Sequence, residues 1–135
     1  MAKYIIDTNT IIEYFKHRHG VPERMSQVSR DDICVSEVTI AELLYGAMHS
    51  KSDDRHLREV QELQQDVAVL AISDTLNEYA DIRHTLTSQG LAVEDFDILI
   101  GATARHYGLI AVSDNLKHFN HMPGVQTENW INRTV

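Results

Sequence analysis

Four acidic side chains stand next to strongly apolar segments, where a carboxylate is unusual. Asp7 and Asp114 each follow a short apolar run, and Glu42 and Asp97 lie within or at the start of apolar helical patterns. A buried carboxylate is costly unless it is paired or bound to a cation. Several such groups converging at one place would repel each other, and oxygen ligands in that number suit Mg²⁺ or Mn²⁺. The spacing therefore suggests a divalent-metal site.

The elements that position these acids can be read from hydrophobic periodicity. Residues 4–6 are apolar without alternation, which is typical of a strand buried on both faces of a parallel sheet. Asp7 then falls at the carboxyl end of that strand, where open α/β sheets place ligands. On this segment alone, a role for Asp7 as no more than a helix N-cap is an equal alternative. Thr8 or Asn9 is expected to cap the helix that follows.

The rest of the chain repeats this alternation of strand and helix. Further strands are predicted at 33–36, 67–72 and 109–113, with a last short strand at 125–130. Apolar residues spaced by three and four predict helices between them, including a broad and mostly buried face over 38–48. This order indicates an α/β protein with a mostly parallel central sheet flanked by helices, in one domain over 1–135.

Composition limits the function classes. The chain has 135 residues, 20 acids against 12 bases and a net charge of −8, which argues against nucleic-acid binding driven by charge alone. A metal-dependent nuclease is less disfavoured, because cations can neutralise a carboxylate cluster. The one cysteine, Cys34, excludes an internal disulfide. With no long apolar run and no room for a signal peptide before the first strand, we expect a cytoplasmic protein without a membrane span.

Four segments together carry a family resemblance: 5–9, 39–47, 97–102, and 112–115 followed by Phe119 and 123–125. In this order, and over almost the whole chain, they resemble the PIN-domain ribonucleases, in particular the toxins of VapBC toxin–antitoxin pairs. The resemblance implies a PIN-like fold and a metal-dependent endoribonuclease, often one that cleaves tRNA. It also implies a homodimer that is neutralised by a VapB-type antitoxin inserted into the active-site groove, with DNA contacted only through the antitoxin.

Residue by residue, the resemblance assigns an acidic triad. Asp7, Glu42 and Asp97 match the three acids of the family, and Ser113 matches a usual threonine that supports the first of them. Asp7 and Asp97 would hold Mg²⁺ or Mn²⁺, which lowers the pKa of a bound water and clamps the scissile phosphate. Asn9 would position Asp7 or a water.

The fourth site position stays open between two neighbours. Asp114 follows Ser113 directly and is either the fourth acid or only the cap of the next helix. In the second case Asn115 holds a water in its place. As an acid, Asp114 would join Glu42 in holding further metal-bound water or a second metal.

Other acids and histidines compete for a role. Glu94 and Asp95 are interpreted as loop acids or caps, because Asp97 alone adjoins the apolar helix in the family's register. The pair His118 and His121 has helical spacing, but no cysteine or third ligand lies nearby in the sequence, which disfavours zinc.

Two other functions are weighed against the nuclease. A phosphatase or phosphotransferase with Asp7 as nucleophile usually has a second Asp two residues later, where this chain has Asn9. The only candidate for its phosphate-holding lysine is Lys117. The third reading is a catalytically silent regulatory domain, which the intact acids disfavour.

Overall fold

Five parallel strands form the centre of the computed structural model, which describes residues 2–51 and 53–135. They are β1 (Tyr4–Ile6), β2 (Ile33–Ser36), β3 (Ala68–Leu70), β4 (Ile110–Val112) and β5 (Gln126–Glu128). Their order across the sheet is β3-β2-β1-β4-β5, and every pairing is parallel. The predicted α/β class with a parallel central sheet is confirmed. Because β1 and β4 are neighbours, the residues that follow them meet at one edge of the sheet.

Helices cover both faces of the sheet. They are α1 (Thr8–Phe15), α2 (Val21–Ser26), α3 (Glu37–Met48), α4 (Asp53–Asp66), α5 (Leu76–Ser88), α6 (Asp95–Tyr107) and α7 (Leu116–Phe119), with 3₁₀ turns at Arg30–Asp32 and Ser73–Thr75. Successive strand residues point to opposite faces. Ile5 accordingly joins one apolar cluster, with Ile82 and Ile98, and Ile6 joins another, with Ile11 and Leu43. This explains the unbroken apolar run of β1.

Two expectations differ from the structure at the periphery. The strands predicted at 67–72 and 125–130 are shorter, at Ala68–Leu70 and Gln126–Glu128. Both are edge strands, so each is held by one neighbour only. The face of α3 expected to be mostly buried is also partly open, since Tyr45 and Met48 are 66% and 81% exposed. Among the described residues, no helix is both long and apolar enough to cross a membrane.

Candidate active site

Asp7 connects the central strand to the first helix. It follows β1 directly, and its Oδ1 accepts a 2.9 Å hydrogen bond from the Thr10 backbone N–H. Asp7 is therefore the N-cap of α1, and the expectation that Thr8 or Asn9 caps this helix is wrong. Only 4% of Asp7 is exposed, because strands lie on both sides of β1. Asp7 is more than a helix cap, because the same side chain also lines a cleft.

The environment of Asp7 disfavours its charge. Burial raises the pKa of its carboxyl from 3.8 to about 6, and repulsion from Asp97 adds to the rise. Hydrogen bonds from the Ser113 side chain and from Thr10 oppose that rise. Ser113, which the resemblance matched to a threonine that supports the first acid, lies in hydrogen-bonding contact with Asp7. A carboxylate that is held in place and short of positive partners is suited to receive a cation.

Glu42 reaches the same edge of the sheet from α3. Its Oε1 accepts a 2.6 Å hydrogen bond from the Thr8 hydroxyl. The Thr8 hydroxyl oxygen also lies 3.2 Å from that of Thr39, a fully buried residue one turn earlier on α3. These contacts fix the position of α3 against α1 and hold the Glu42 carboxylate at the cleft.

Asp97 lies in the first turn of α6. Its Oδ2 accepts a 3.1 Å hydrogen bond from Asn115 Nδ2 and lies 3.2 Å from His118 Nδ1. Both partners belong to the segment that runs from β4 into α7. The Asn115 N–H donates a 2.9 Å bond to the Ser113 hydroxyl, which turns the chain toward the cleft after β4.

These side chains surround one cleft of about 260 Å³. It is lined by Asp7, Thr8, Asn9, Glu42, Glu94, Asp97, Asn115 and His118. The three acids matched to the family triad therefore come together, although they are far apart in the sequence. Asn9 and Asn115 join them, and buried Ser113 contacts Asp7 from behind.

Asp114 does not line this cleft. Its carboxylate forms an ion pair and hydrogen bond with Arg133, near the end of the chain. Ser113 is buried against Asp7 and Asn115 lines the cleft, so Asp114 between them is directed elsewhere. Of the two candidates for the fourth position, the geometry brings Asn115 to the site and leaves Asp114 outside it.

Comparison with known proteins shows which family this chain belongs to. The family model for the PIN domain matches residues 4–125. The chain belongs to the PIN-domain family. This PIN domain is 35% identical to Ribonuclease VapC2 of Haemophilus influenzae over 133 residues, covering 97% of this chain and 100% of that protein. It is 32% identical to the tRNA(fMet)-specific endonuclease VapC of Shigella flexneri, covering 96% of this chain and 99% of that protein.

Solved structures give the same result for the fold. The DNA-bound VapBC of Salmonella typhimurium superposes with a TM-score of 0.89 at 32% identity, covering 96% of this chain and 99% of that one. VapBC-1 of nontypeable Haemophilus influenzae superposes with a TM-score of 0.82 at 28% identity, covering 94% and 97%. The resemblance to VapC proteins inferred from the four sequence segments is confirmed.

Sequence reasoning missed three residues that line the cleft of this PIN domain. Thr8 was considered only as a cap, and Glu94 only as a loop acid or cap. Glu94 is the N-cap residue of α6 but makes no side-chain capping bond. Asp95, interpreted in the same way, is neither in a loop nor the cap but the first residue of α6, and its Oδ1 accepts a 2.8 Å bond from the Tyr79 hydroxyl.

His118 is the third of these residues. Its position three residues after Asn115 is the signal that could have found it, since one turn of α7 places both side chains on the same side.

The donor set fits an Mg²⁺-type cation rather than a closed protein cage. In residues 2–51 and 53–135, no three His, Cys, Asp or Glu side chains are grouped closely enough to hold a metal by themselves. Mg²⁺ usually takes one or two carboxylates and completes its shell with waters and substrate phosphates. Asp7 and Asp97 interact electrostatically in the same cleft and supply such a pair.

Proposed function

We propose that this protein is an Mg²⁺- or Mn²⁺-dependent endoribonuclease and the toxin of a type II toxin–antitoxin pair, which blocks translation in the cytoplasm by cutting tRNA or another structured RNA. One observation carries the proposal. Asp7, Glu42 and Asp97, from three distant segments, line a single cleft at the carboxyl edge of a parallel sheet. The names of the VapC relatives support the ribonuclease activity, and one of those names supports tRNA as the substrate.

Each residue of the cleft has a definable task. Asp7 and Asp97 would hold the cation, which when bound supplies an acidified water and neutralises charge on the scissile phosphate. Thr10 and Ser113 hold the Asp7 carboxylate in place through hydrogen bonds. Asn115 does the same for Asp97.

Two further residues act on water and substrate. Glu42, fixed by Thr8, is placed to orient water and to accept a proton from it. Asn9 is exposed at the cleft and can donate a hydrogen bond to a phosphate oxygen or a water.

The geometry disfavours Asp7 as a covalent nucleophile. Only 4% of its surface is exposed and its Oδ1 is engaged in capping α1, which restricts in-line attack on a phosphate. No lysine lines the cleft, so the phosphate clamp that a phosphotransferase needs is missing from the residues around it. The nuclease mechanism requires neither feature.

Two arginines near α2, Arg18 and Arg24, are engaged in ion pairs within the chain. Arg18 is paired with Glu13 through two hydrogen bonds of 2.8 and 2.6 Å. Arg24 lies 4.7 Å from the centre of the Trp130 ring and pairs with Glu128. With a net charge of −8, RNA binding therefore depends on the cation in the cleft more than on a basic patch.

A VapB-type antitoxin is the proposed protein partner, and DNA binding is proposed to occur only through it. The VapBC complexes with a similar chain, one of them bound to DNA, support this pairing. A cleft of carboxylates is a natural target for an arginine, whose planar fork matches carboxylate geometry. We expect the antitoxin to place Arg or Lys beside Asp7 and Asp97. Affinity for the antitoxin should then fall as Mg²⁺ is raised at constant ionic strength; an affinity indifferent to Mg²⁺ would exclude this mode of inhibition.

A homodimer is proposed through the open face of α3. Tyr45 and Met48 are large, apolar and 66% and 81% exposed, and they lie three residues apart on one side of the helix. Exposed apolar side chains of this size are common where two chains meet. Sedimentation of the wild type and of Met48→Glu tests this, since the substitution should shift a dimer toward the monomer.

The function is tested with Asp7→Asn. Asparagine is nearly isosteric and can still cap α1, but it lacks the charge that holds a cation. Wild type should arrest growth on expression and cleave RNA only with divalent metal, whereas Asp7→Asn should do neither at equal soluble level. Asp31→Asn, at an exposed turn acid, is the matched control and should behave as wild type. Growth arrest by Asp7→Asn would reject the assignment of the site.

A further inference from the structure

A second cavity lies beside the catalytic cleft and shares one residue with it. Its volume is about 360 Å³, and it lies where the end of α5 meets the start of α6. Glu94 lines both this cavity and the cleft. A nucleotide joins its phosphate to its base through one ribose, so a strand cut in the cleft can place a base in the neighbouring cavity.

The walls of the second cavity suit a flat ring with a polar edge. They are mostly apolar and include Leu86, Leu91, Val93 and Ile98. Leu86 and Ile98 are 1% and 2% exposed, so they form a fixed floor. Binding pockets of this size usually combine apolar walls with a few polar groups that orient the ligand. Here the charged groups are Arg83 and Glu94.

Arg83 is held in place by only part of its guanidinium. Its Nη1 donates a 2.6 Å hydrogen bond to the Tyr79 hydroxyl and lies 3.3 Å from Asp95 Oδ1. The other guanidinium nitrogens make no hydrogen bond to the rest of the chain that the structure describes. An arginine carries five N–H donors, so Nε and Nη2 are left to bind a ligand.

Glu94 supplies the opposite chemistry. It is the N-cap residue of α6, yet its side chain makes no capping bond and is exposed. Within residues 2–51 and 53–135, its carboxylate has no hydrogen-bond or ion-pair partner. A free acid beside a cleft that receives phosphate would repel the RNA backbone. The same acid is favourable where it accepts hydrogen bonds from the edge of a base.

We propose that the second cavity binds one unpaired guanine of the RNA, beside the phosphate that is cut. Guanine presents the acceptors O6 and N7, which match the fork of an arginine, and the donors N1–H and 2-amino, which match a carboxylate. No other RNA base offers both a pair of acceptors and a pair of donor groups. Arg83 therefore reads one edge of the base and Glu94 reads the next, as proteins do with splayed-out bases of single-stranded RNA. The inference rests on the proposed function, because it names a base recognised beside the same cleft.

The test is a nuclear magnetic resonance titration of the full-length protein, in Mg²⁺, with the four ribonucleoside 5′-monophosphates. All four carry the same phosphate, so a difference between them reports the base. GMP should shift the backbone amide signals of Leu91 and Val93, and it should bind about tenfold more tightly than AMP.

Two variants and a control assign the contacts. Arg83→Met keeps the apolar stem and removes the fork, and Glu94→Gln replaces one acceptor with a donor; each should remove the preference for GMP. Arg58→Met is the matched control, because Arg58 is exposed on α4 and lines neither cavity. It should bind GMP as wild type does. Melting temperatures of all the variants should stay close to that of wild type.

Each outcome decides the matter. A preference for GMP that survives in Arg58→Met and is lost in the other two variants supports the proposal. Equal binding of all four nucleotides, preference for another base, or a preference that survives Arg83→Met and Glu94→Gln overturns it. Absence of nucleotide binding also overturns it, as when a segment of a protein partner fills the cavity. RNA cleavage by wild type separates this inference from the proposed function. Cleavage without GMP preference removes only the guanine pocket, whereas GMP preference without cleavage removes only the ribonuclease assignment.

Discussion

The Thr8 hydroxyl donates a 2.6 Å hydrogen bond to Oε1 of Glu42 and thereby joins the first residue of α1 to the middle of α3. Thr8 follows Asp7 directly, so one short segment fixes two of the three acids. The Asp7 carboxylate is held in place because it caps α1, and the Glu42 carboxylate is held by the hydroxyl of Thr8. A change at Thr8 should therefore act on catalysis through Glu42.

We expect Thr8→Val to slow RNA cleavage by about tenfold or more, because partners that orient an active-site carboxylate contribute on that scale. Valine preserves the shape of threonine but offers no donor to Glu42. Thr8→Ser keeps the hydroxyl and should retain most of the activity. Single-turnover cleavage rates of the three proteins, with melting temperatures as a folding check, provide the measurement. Equal rates for the valine and serine substitutions would show that this hydrogen bond has no catalytic effect.

Asp7→Asn should stabilise the metal-free protein at neutral pH. The pKa of Asp7 is raised from 3.8 to about 6 by burial, so between these values the folded state binds more protons than the unfolded state. The free energy of unfolding therefore falls as pH rises from about 4 to about 6 and stays lower above. A shift of about two pKa units corresponds to roughly 3 kcal/mol, which is the upper limit of the expected gain at pH 7.

Urea unfolding in chelator at pH 4 and pH 7 measures this effect. The Asp7→Asn variant should exceed wild type in stability at pH 7 and approach it at pH 4, while Asp31→Asn, at an exposed acid, should track wild type at both. A gain of the same size at both pH values would mean that the carboxylate charge is not its source.

The fold could be predicted from the sequence because its centre is doubly buried. Ile5 and Ile6 face opposite apolar clusters, and only a strand covered on both sides produces such a run without alternation. The edge strands β3 and β5 were predicted too long. Side chains on an edge strand are partly exposed, as Val69 is at 38%, so the hydrophobic pattern marks the ends of such a strand less clearly.

The site could be predicted only where an acid follows a strand or interrupts an apolar helix. That rule selected Asp7, Glu42 and Asp97, which line the cleft, and also Asp114, which does not, and it could not separate Asp114 from Asn115. The direction of a side chain just after a strand depends on the turn, here fixed by the Asn115 N–H on the Ser113 hydroxyl. His118 was missed as a site residue because its approach to Asp97 requires the docking of α7 against α6, whereas its spacing from Asn115 indicates only that the two share one side of α7.

The two acids of α6 should differ in their effect on metal stabilisation. A cation that binds only the folded chain adds about 1.4 kcal/mol at ten times Kd, or a few degrees in melting temperature for a domain of this size. Asp97→Asn should remove most of that shift, because Asp97 lines the cleft. Asp95→Asn should retain it, because Asp95 is turned toward Tyr79 and Arg83.

Thermal melts with and without metal, at fixed ionic strength, compare wild type with these two variants. Mn²⁺ should give a larger shift than Mg²⁺ at equal concentration, because Mg²⁺ gives up its water reluctantly. A shift that survives Asp97→Asn and disappears in Asp95→Asn would mean that the wrong acid of α6 has been assigned.

The fourth site position is expected to belong to Asn115 and not to Asp114. Asn115→Ala removes the amide that contacts Asp97 Oδ2 at 3.1 Å, so cleavage should fall by about tenfold to a hundredfold. Asp114→Asn breaks only the ion pair with Arg133. The Arg133 side chain is 61% exposed, so this ion pair contributes little to stability. RNA cleavage rates of both variants, at a metal concentration that saturates wild type, provide the comparison. If Asp114→Asn abolishes cleavage while Asn115→Ala retains it, the Asp114 carboxylate must leave Arg133 and enter the cleft when RNA binds.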